Sequence, residues 1–402
     1  MLALDINNLS YEPDTDPSIA VQRQLLIRYP EKSTYTNGEK MSYILSGNAF
    51  LDGKNSSMTM TLKAESASAN FLFGQAQGSA LNIFNRVRVV SGSGKVISDV
   101  LDHNLFAAVA SRMKLSKQYR SIVGSSFGHG GVTLATADTH HFQIPLMLLS
   151  PFFNSNQLIP PSISEGLIIE LYLETPAQAF ESAAGVTSYT VSNAEIVIDS
   201  SQVADQYMKM IMSMPMTYEF TDVVQSDAFM SSANQQIEHV IPHSLTNAVE
   251  AFGVLRKQSD VNNGLVNSFN TVGPALVVTN ADEMKWSVGS IKLPQQPALG
   301  SLKIYNILLN TQQVLSSRTC DSFNIDYSAD FATKIGVYSV DLCRSRMYAN
   351  SGRELSNGQR LSLFVKQSIA ADYLLDCFVY HTARVVAVFS SDVKHASITV
   401  ER

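Results

Sequence analysis

Charge is scarce in this 402-residue sequence. Asp, Glu, Lys and Arg make up 16% of it, against roughly 25% in soluble globular chains. The apolar share, 45%, is ordinary, so Ser, Thr, Asn and Gln stand where charges would be. Neutral polar groups leave water at less cost than ions do, which suits extensive protein–protein contact. Lys and Arg form no run and the net charge is −6. The chain therefore has no cationic footprint, and no direct sequence-specific nucleic-acid binding is expected. Cysteine is nearly absent: Cys320, Cys343 and Cys377 lie far apart and outside CxxC spacing, as reduced structural thiols of an intracellular protein would. The acidic N-terminus MLALDINNLSYEPDTDPS lacks the basic region and apolar core of a signal peptide. Unbroken apolar runs are missing too. The uncharged stretch QIPLMLLSPFFNSNQLIPP (143–161) is interrupted at Pro145, Pro151, Pro160 and Pro161, and each would break a helix that must satisfy its own backbone in lipid. No membrane-spanning helix is expected.

What remains is dominated by strand signals. In SSMTMTLK (56–63), Met58, Met60 and Leu62 alternate with Thr59, Thr61 and Lys63, the period of a half-buried strand. FNRVRVV (84–90), GLIIELYLE (166–174), NAEIVID (193–199), LKIYNILL (302–309), RLSLFVK (360–366) and ARVVAVF (383–389) read as further strands between Gly, Asn, Ser and Pro turns. Two helices interrupt them. LDHNLFAAVASRMKL (101–115) places Leu101, Leu105, Val109 and Met113 four apart, with Asp99 or Asp102 as cap. VADQYMKMIM (203–212) places Val203, Tyr207 and Ile211 on one face and ends before Pro215. Around this second helix the two halves repeat in the order of their elements. Strand, polar turn, strand and short helix at 84–106 return at 302–324; QIPLMLL with GLIIELYLE returns as GVYSVDL with RLSLFVK. The expectation is an all-β fold of two similar sandwiches in tandem.

Chemistry-bearing motifs are weak. GSSFG (124–128) fits the G-x-S-x-G elbow with Ser126 as a serine-hydrolase nucleophile, but the following HGGVTLATADTHH has no helical period, and an elbow needs a strand before it and a helix after it. SGSGK (91–95) is followed by Val96, whereas a phosphate loop needs Ser or Thr there. It reads as a hairpin turn with positive φ at Gly92 and Gly94. His129, His140 and His141 have only Asp138 nearby and read as solvent-exposed loop residues, not as a metal site. Met208, Met210, Met212, Met214 and Met216 read as conformable packing at a domain joint. No catalytic residue, cofactor or metal is expected.

Four segments together resemble the double jelly-roll major capsid proteins of DNA viruses, of the polinton-like virus, virophage or phage type. They are FNRVRVVSGSGKVISDV; IPLMLLSPFFNSNQLIPPSISEGLIIELYLE; NAEIVIDSSQVADQYMKMI with MPMTYEF; and QQIEHVIPHSLTNAVEAFGVLRK. The resemblance implies an N-terminal arm at 1–21, a first jelly roll at 22–202, a linker helix and joint at 203–216, and a second jelly roll at 217–402 with an insertion at 258–300. It further implies a homotrimeric, pseudo-hexagonal capsomer tiling an icosahedral virion. Its partners would be neighbouring trimers, a penton protein, minor capsid proteins and an internal membrane. Phe152, Phe153 and Leu158 are the expected assembly contacts, as a buried patch either beneath their own loop or across the trimer seam. Trp286 of the insertion, which reads as a surface tower or an intersubunit clasp, is a further one. A serine hydrolase centred on Ser126, or a trimeric attachment or carbohydrate-binding protein, is the alternative.

Overall fold

The computed structural model describes residues 22–45, 49–74, 78–130, 132–204, 208, 214–266, 282–314, 323, 325, 331, 336–344, 351–356, 358–388 and 397–402. Among the described residues, sixteen of the strands build two sandwiches. The first contains β1 (Gln22–Arg28), β2 (Lys40–Ile44), β3 (Phe50–Ser66), β4 (Phe84–Val90), β5 (Val96–Val100), β6 (Thr139–Pro145), β7 (Ile168–Leu173) and β8 (Val186–Gln202). The second contains β9 (Met216–Met230), β10 (Gln236–Val240), β11 (Ala248–Lys257), β12 (Glu283–Val288), β13 (Ile291–Leu299), β14 (Tyr338–Asp341), β15 (Leu361–Lys366) and β16 (Tyr373–Val388). A further strand, β17 (Ser397–Glu401), pairs with β16.

The sheet orders are β1-β8-β3-β6 and β2-β7-β4-β5 in the first sandwich, and β9-β16-β11-β14 and β10-β15-β12-β13 in the second. Adding eight to each strand of the first sandwich gives the second, so the tandem repeat is real at the level of topology. The alternation that signalled strands also sets the burial. Along β3, Met58, Met60 and Leu62 are buried while Lys63 is exposed, and along β7 Ile169, Leu171 and Leu173 are buried.

Each sandwich hairpin is followed by one helix. α1 (His103–Lys114) follows β5, with Leu105, Val109 and Met113 buried and Leu101 exposed beyond its start. Asp102 occupies its N-cap position without capping. The residue is left-handed, and its carboxylate accepts instead from Gln225 Nε2. Asp99 pairs with Arg86 at 2.6 Å. α2 (Ser301–Thr311) follows β13, with Ile304, Leu308 and Thr311 on its buried face.

α2 corrects the strand expected at 302–309. LKIYNILL supports either element by composition, but burial recurs at i, i+4 and i+7. The matching hairpin of the second half is β12–β13, not 302–324, and Trp286 sits inside it. Glu283–Leu299 is therefore part of the second sandwich rather than of an insertion. Residues 258–266 leave β11 toward the first sandwich, where the Gly264 carbonyl accepts from the Ser182 amide at 3.1 Å. Residues 267–281, the arm at 1–21 and most of the helix expected at 203–212 lie outside the described residues, as do Met210, Met212 and Cys320.

The two cores are interlocked. Tyr218 and Phe220 of β9, Ala383, Val385 and Ala387 of β16 and Ile398 of β17 complete the core of the first sandwich. In return, Leu105, Phe106, Val109 and Met113 of α1 enter the core of the second. There the Phe106 ring lies 5.6 Å from Phe378, which stacks on Phe252 at 5.1 Å.

Candidate functional site

The stretch at 143–161 forms the seam between the sandwiches. Strand β6 ends at Pro145. Leu146–Leu149 then make one helical turn and Pro151–Phe153 a 3-10 turn, so the strand expected through Leu149 stops four residues earlier. Pro151 opens the second turn, and the Ser150 hydroxyl accepts from the Phe152 amide. The chain returns at Ile159, which exchanges two backbone hydrogen bonds with Leu51, at 2.8 and 3.0 Å.

The turn places Phe152 against the second sandwich. Its ring centroid is 5.0 Å from Tyr218, 5.1 Å from Phe220 and 5.2 Å from Phe153. Tyr218 Oη donates to the Phe152 carbonyl at 2.6 Å. Around this aromatic group the backbone of Glu219 is tied twice: its carbonyl accepts from Ser155 Oγ at 2.7 Å, and its amide donates to Gln157 Oε1 at 3.1 Å. Gly53 supports the turn from below, because a Cβ there would meet the Phe153 carbonyl oxygen at 2.8 Å. Burial raises the Tyr218 phenol above its ordinary range, so the group stays a neutral donor.

These positions bear on the expected assembly contacts. Phe152 and Phe153 are already covered by their own chain, at 0% and 2% exposure, and bind one sandwich to the other. Trp286 is also fully buried, between Leu293 and Leu363 in the β12 pairings. No side chain without surface can touch a second subunit directly. Leu158 is half-buried beside them.

The hydrolase candidate does not assemble. A six-residue helix, Lys117–Ile122, precedes GSSFG, and Gly124–Phe127 is itself a 3-10 turn. An elbow at the end of a parallel strand is therefore missing. A shallow concavity does gather Ser126, His141 and Glu195, but each is engaged elsewhere. Ser126 Oγ faces the carbonyls of Val123 at 2.7 Å and Gln143 at 3.0 Å. His141 Nδ1 meets Thr61 Oγ1 at 3.1 Å, and Glu195 accepts from Thr59 Oγ1 at 3.2 Å. His140 and His141 lie on β6 and not in a loop, His141 being exposed there as expected, while His129 is buried. Among the described residues, no three His, Cys, Asp or Glu converge as a metal site. SGSGK is the β4–β5 hairpin turn, with Gly94 at φ 84°. Gly92 serves closeness instead of positive φ, since a Cβ there would meet the Glu165 carbonyl at 2.6 Å.

Two eight-stranded sandwiches of one strand order, in tandem and sharing their cores, define a double jelly roll. No family model and no curated protein sequence matches the chain. Solved structures with this fold do. PBCV-1 VP54, fitted into a reconstruction of the virophage Sputnik, superposes with a TM-score of 0.64 at 11% identity, covering 97% of this chain and 99% of that one. The Faustovirus major capsid protein gives 0.64 at 9% identity, covering 96% and 94%. A chain of the Sputnik virophage structure gives 0.55 at 10% identity, covering 100% and 92%. The fold is that of the double jelly-roll major capsid proteins.

Proposed function

We propose that this chain is the major capsid protein of a DNA virus. Three copies form a pseudo-hexagonal capsomer, and capsomers tile an icosahedral shell. The observation that carries this reading is the shared order of eight strands in each half, which leaves the two sandwiches locked as one body. Three such bodies around a threefold axis present six similar sandwiches, an approximate hexagon that packs side by side. A charged fraction of only 16% lets capsomer flanks meet without burying many unpaired ions. The alternatives lose support from geometry: Ser126 lacks a hydrogen-bonded base, and the buried Trp286 offers no aromatic platform to a glycan.

In this reading the chain resides in the virion after assembly inside the host cell. The arm at 1–21 contacts neighbouring subunits, minor capsid proteins or an internal membrane, and a penton protein fills the vertices. Light scattering on the purified chain tests the proposal, with a trimer or larger species expected and shell-like particles under negative stain. A chain that stays monomeric at high concentration and forms no particles would overturn it.

A further inference from the structure

Near the aromatic seam, the joint contains a second pair whose polar groups are incompletely matched. Asp222 of β9 and His381 of β16 are register partners on adjacent strands. Both side chains are buried, at 2% and 0% exposure, with His381 Nε2 3.9 Å from Asp222 Oδ2. The other carboxylate oxygen, Oδ1, accepts from Ser98 Oγ of β5 at 2.6 Å, so the acid also ties the first sandwich to the second. Among the described residues neither ring nitrogen of His381 has a well-formed hydrogen bond, and the Thr382 backbone only partly offsets the effect of burial on the ring. Such an imidazole, beside a carboxylate held by Ser98 and drawn toward its charged form by the Val223 backbone, leaves one ring nitrogen facing Oδ2 with room for a proton between them.

The surrounding groups do not fill that role. Asp99, next to Ser98 on β5, is held by Arg86 at 2.6 Å and approached by Arg88 at 3.9 Å. Arg402 sends its Nη2 to the Ile97 carbonyl at 3.4 Å and draws Asp222 toward its charged form. His243 is engaged through Nε2 with the Gln225 carbonyl at 2.9 Å.

We propose that Asp222 and His381 share one proton in mildly acidic solution, and that this sharing keeps the joint indifferent to acidification that either group alone would feel. Whichever atom carries the proton, the pair becomes a donor facing an acceptor, an O–H toward Nε2 or an N–H toward Oδ2. Closing the 3.9 Å separation by about 1 Å makes that a hydrogen bond.

Burial acts on the two groups with opposite sign. It raises Asp222 from 3.8 to about 6, so the folded chain takes up a proton that the unfolded chain does not, and stability rises as pH falls through 6. It lowers His381 from 6.5 to about 4, so stability present above 6.5 is lost as pH falls toward 4. The two windows overlap, and the contributions offset each other. The inference concerns the single chain and is independent of what that chain assembles into.

Urea unfolding of the full chain from about pH 7.5 to about 4.5 tests it. Relative to wild type, D222N should lose stability as the pH falls, because it lacks the group that gains. H381Q should gain over the same range, because it lacks the group that loses. Each divergence should approach tenfold in the folding equilibrium constant per pH unit inside its window. Constant offsets from wild type, or divergence of both variants in one direction, would overturn the proposal. The wild-type chain gives a readout that needs no variant: the His381 ring resonances should move with the shared proton. Titration as an ordinary solvated imidazole would equally sink the idea.

Discussion

The hydroxyl of Tyr218, on the first strand of the second sandwich, donates to the backbone carbonyl of Phe152, on a turn of the first, at 2.6 Å. Both residues are buried, so water cannot replace the bond if the phenol is removed. Tyr218→Phe keeps the ring packing and orphans the carbonyl. The expected cost is about 1–3 kcal/mol, seen as a lower urea midpoint with an unchanged m-value. No loss would mean that the carbonyl finds another donor.

Phe152→Ala removes the ring that touches Phe153, Tyr218 and Phe220 together. Large-to-small changes of this kind cost about 3–5 kcal/mol, and here the cavity opens between the sandwiches. The prediction separates a seam inside the chain from one between chains. A folded Phe152→Ala variant should be less stable, yet show the oligomeric state of wild type by light scattering. Selective loss of the oligomer in a variant of undiminished stability would contradict the burial argument.

Gly53→Ala approaches the same turn from its other side. The new Cβ would press on the Phe153 carbonyl oxygen at 2.8 Å, which is backbone and has no rotamer through which to yield. Overpacking of this sort costs about 1–3 kcal/mol. Thermal unfolding of Gly53→Ala should show a lowered midpoint, while Gly38→Ala, with open space around its Cβ, reports only the strain of positive φ.

How far the sequence betrayed these features depended on whether the signal was local. The alternation in SSMTMTLK and GLIIELYLE reports a half-buried surface directly, and β3 and β7 follow it. LKIYNILL misled because a short apolar run has no period of its own until its core contacts are known. The hairpin of β12 and β13 carries Pro294 and Pro297 in its second strand, and prolines break the residue pattern by which a strand is legible in sequence. β13 is the edge of its sheet, where proline is tolerated because no partner requires the missing amide on the open side. Phe152 and Phe153 stand out in sequence as an adjacent apolar pair, but their partners Tyr218 and Phe220 lie more than sixty residues away. Likewise, nothing local connects Asp222 with His381.

Trp286 is the single tryptophan, and it is fully buried, with no hydrogen-bond partner on its indole nitrogen among the described residues. Its fluorescence should therefore be blue-shifted and poorly quenched by iodide in the folded chain, and should move to the red only on unfolding of the second sandwich. Trp286→Phe leaves a cavity but breaks no indole hydrogen bond. Its cost should fall below the roughly 3–5 kcal/mol of a Trp→Ala change. Strong iodide quenching of the native protein would place the indole at the surface, as an exposed insertion would have it.

His103 gives a pH dependence of definite sign. It sits at the first position of α1, fully buried, with Nε2 3.2 Å from the Leu148 carbonyl and Nδ1 without a partner among the described residues. Burial lowers its pKa from 6.5 to about 4, so the folded chain holds it neutral. In the unfolded chain it takes up a proton near 6.5, and stability present above that value is lost as pH falls toward 4. The shift bounds the loss at about 3 kcal/mol. His103→Gln retains a donor for the Leu148 carbonyl without a group that titrates in this range. Its stability relative to wild type should therefore rise as pH falls through this window, in urea melts at matched ionic strength. A difference that stays constant across the window would show that His103 is hydrated or paired at low pH, contrary to its burial against Phe84 and Phe106.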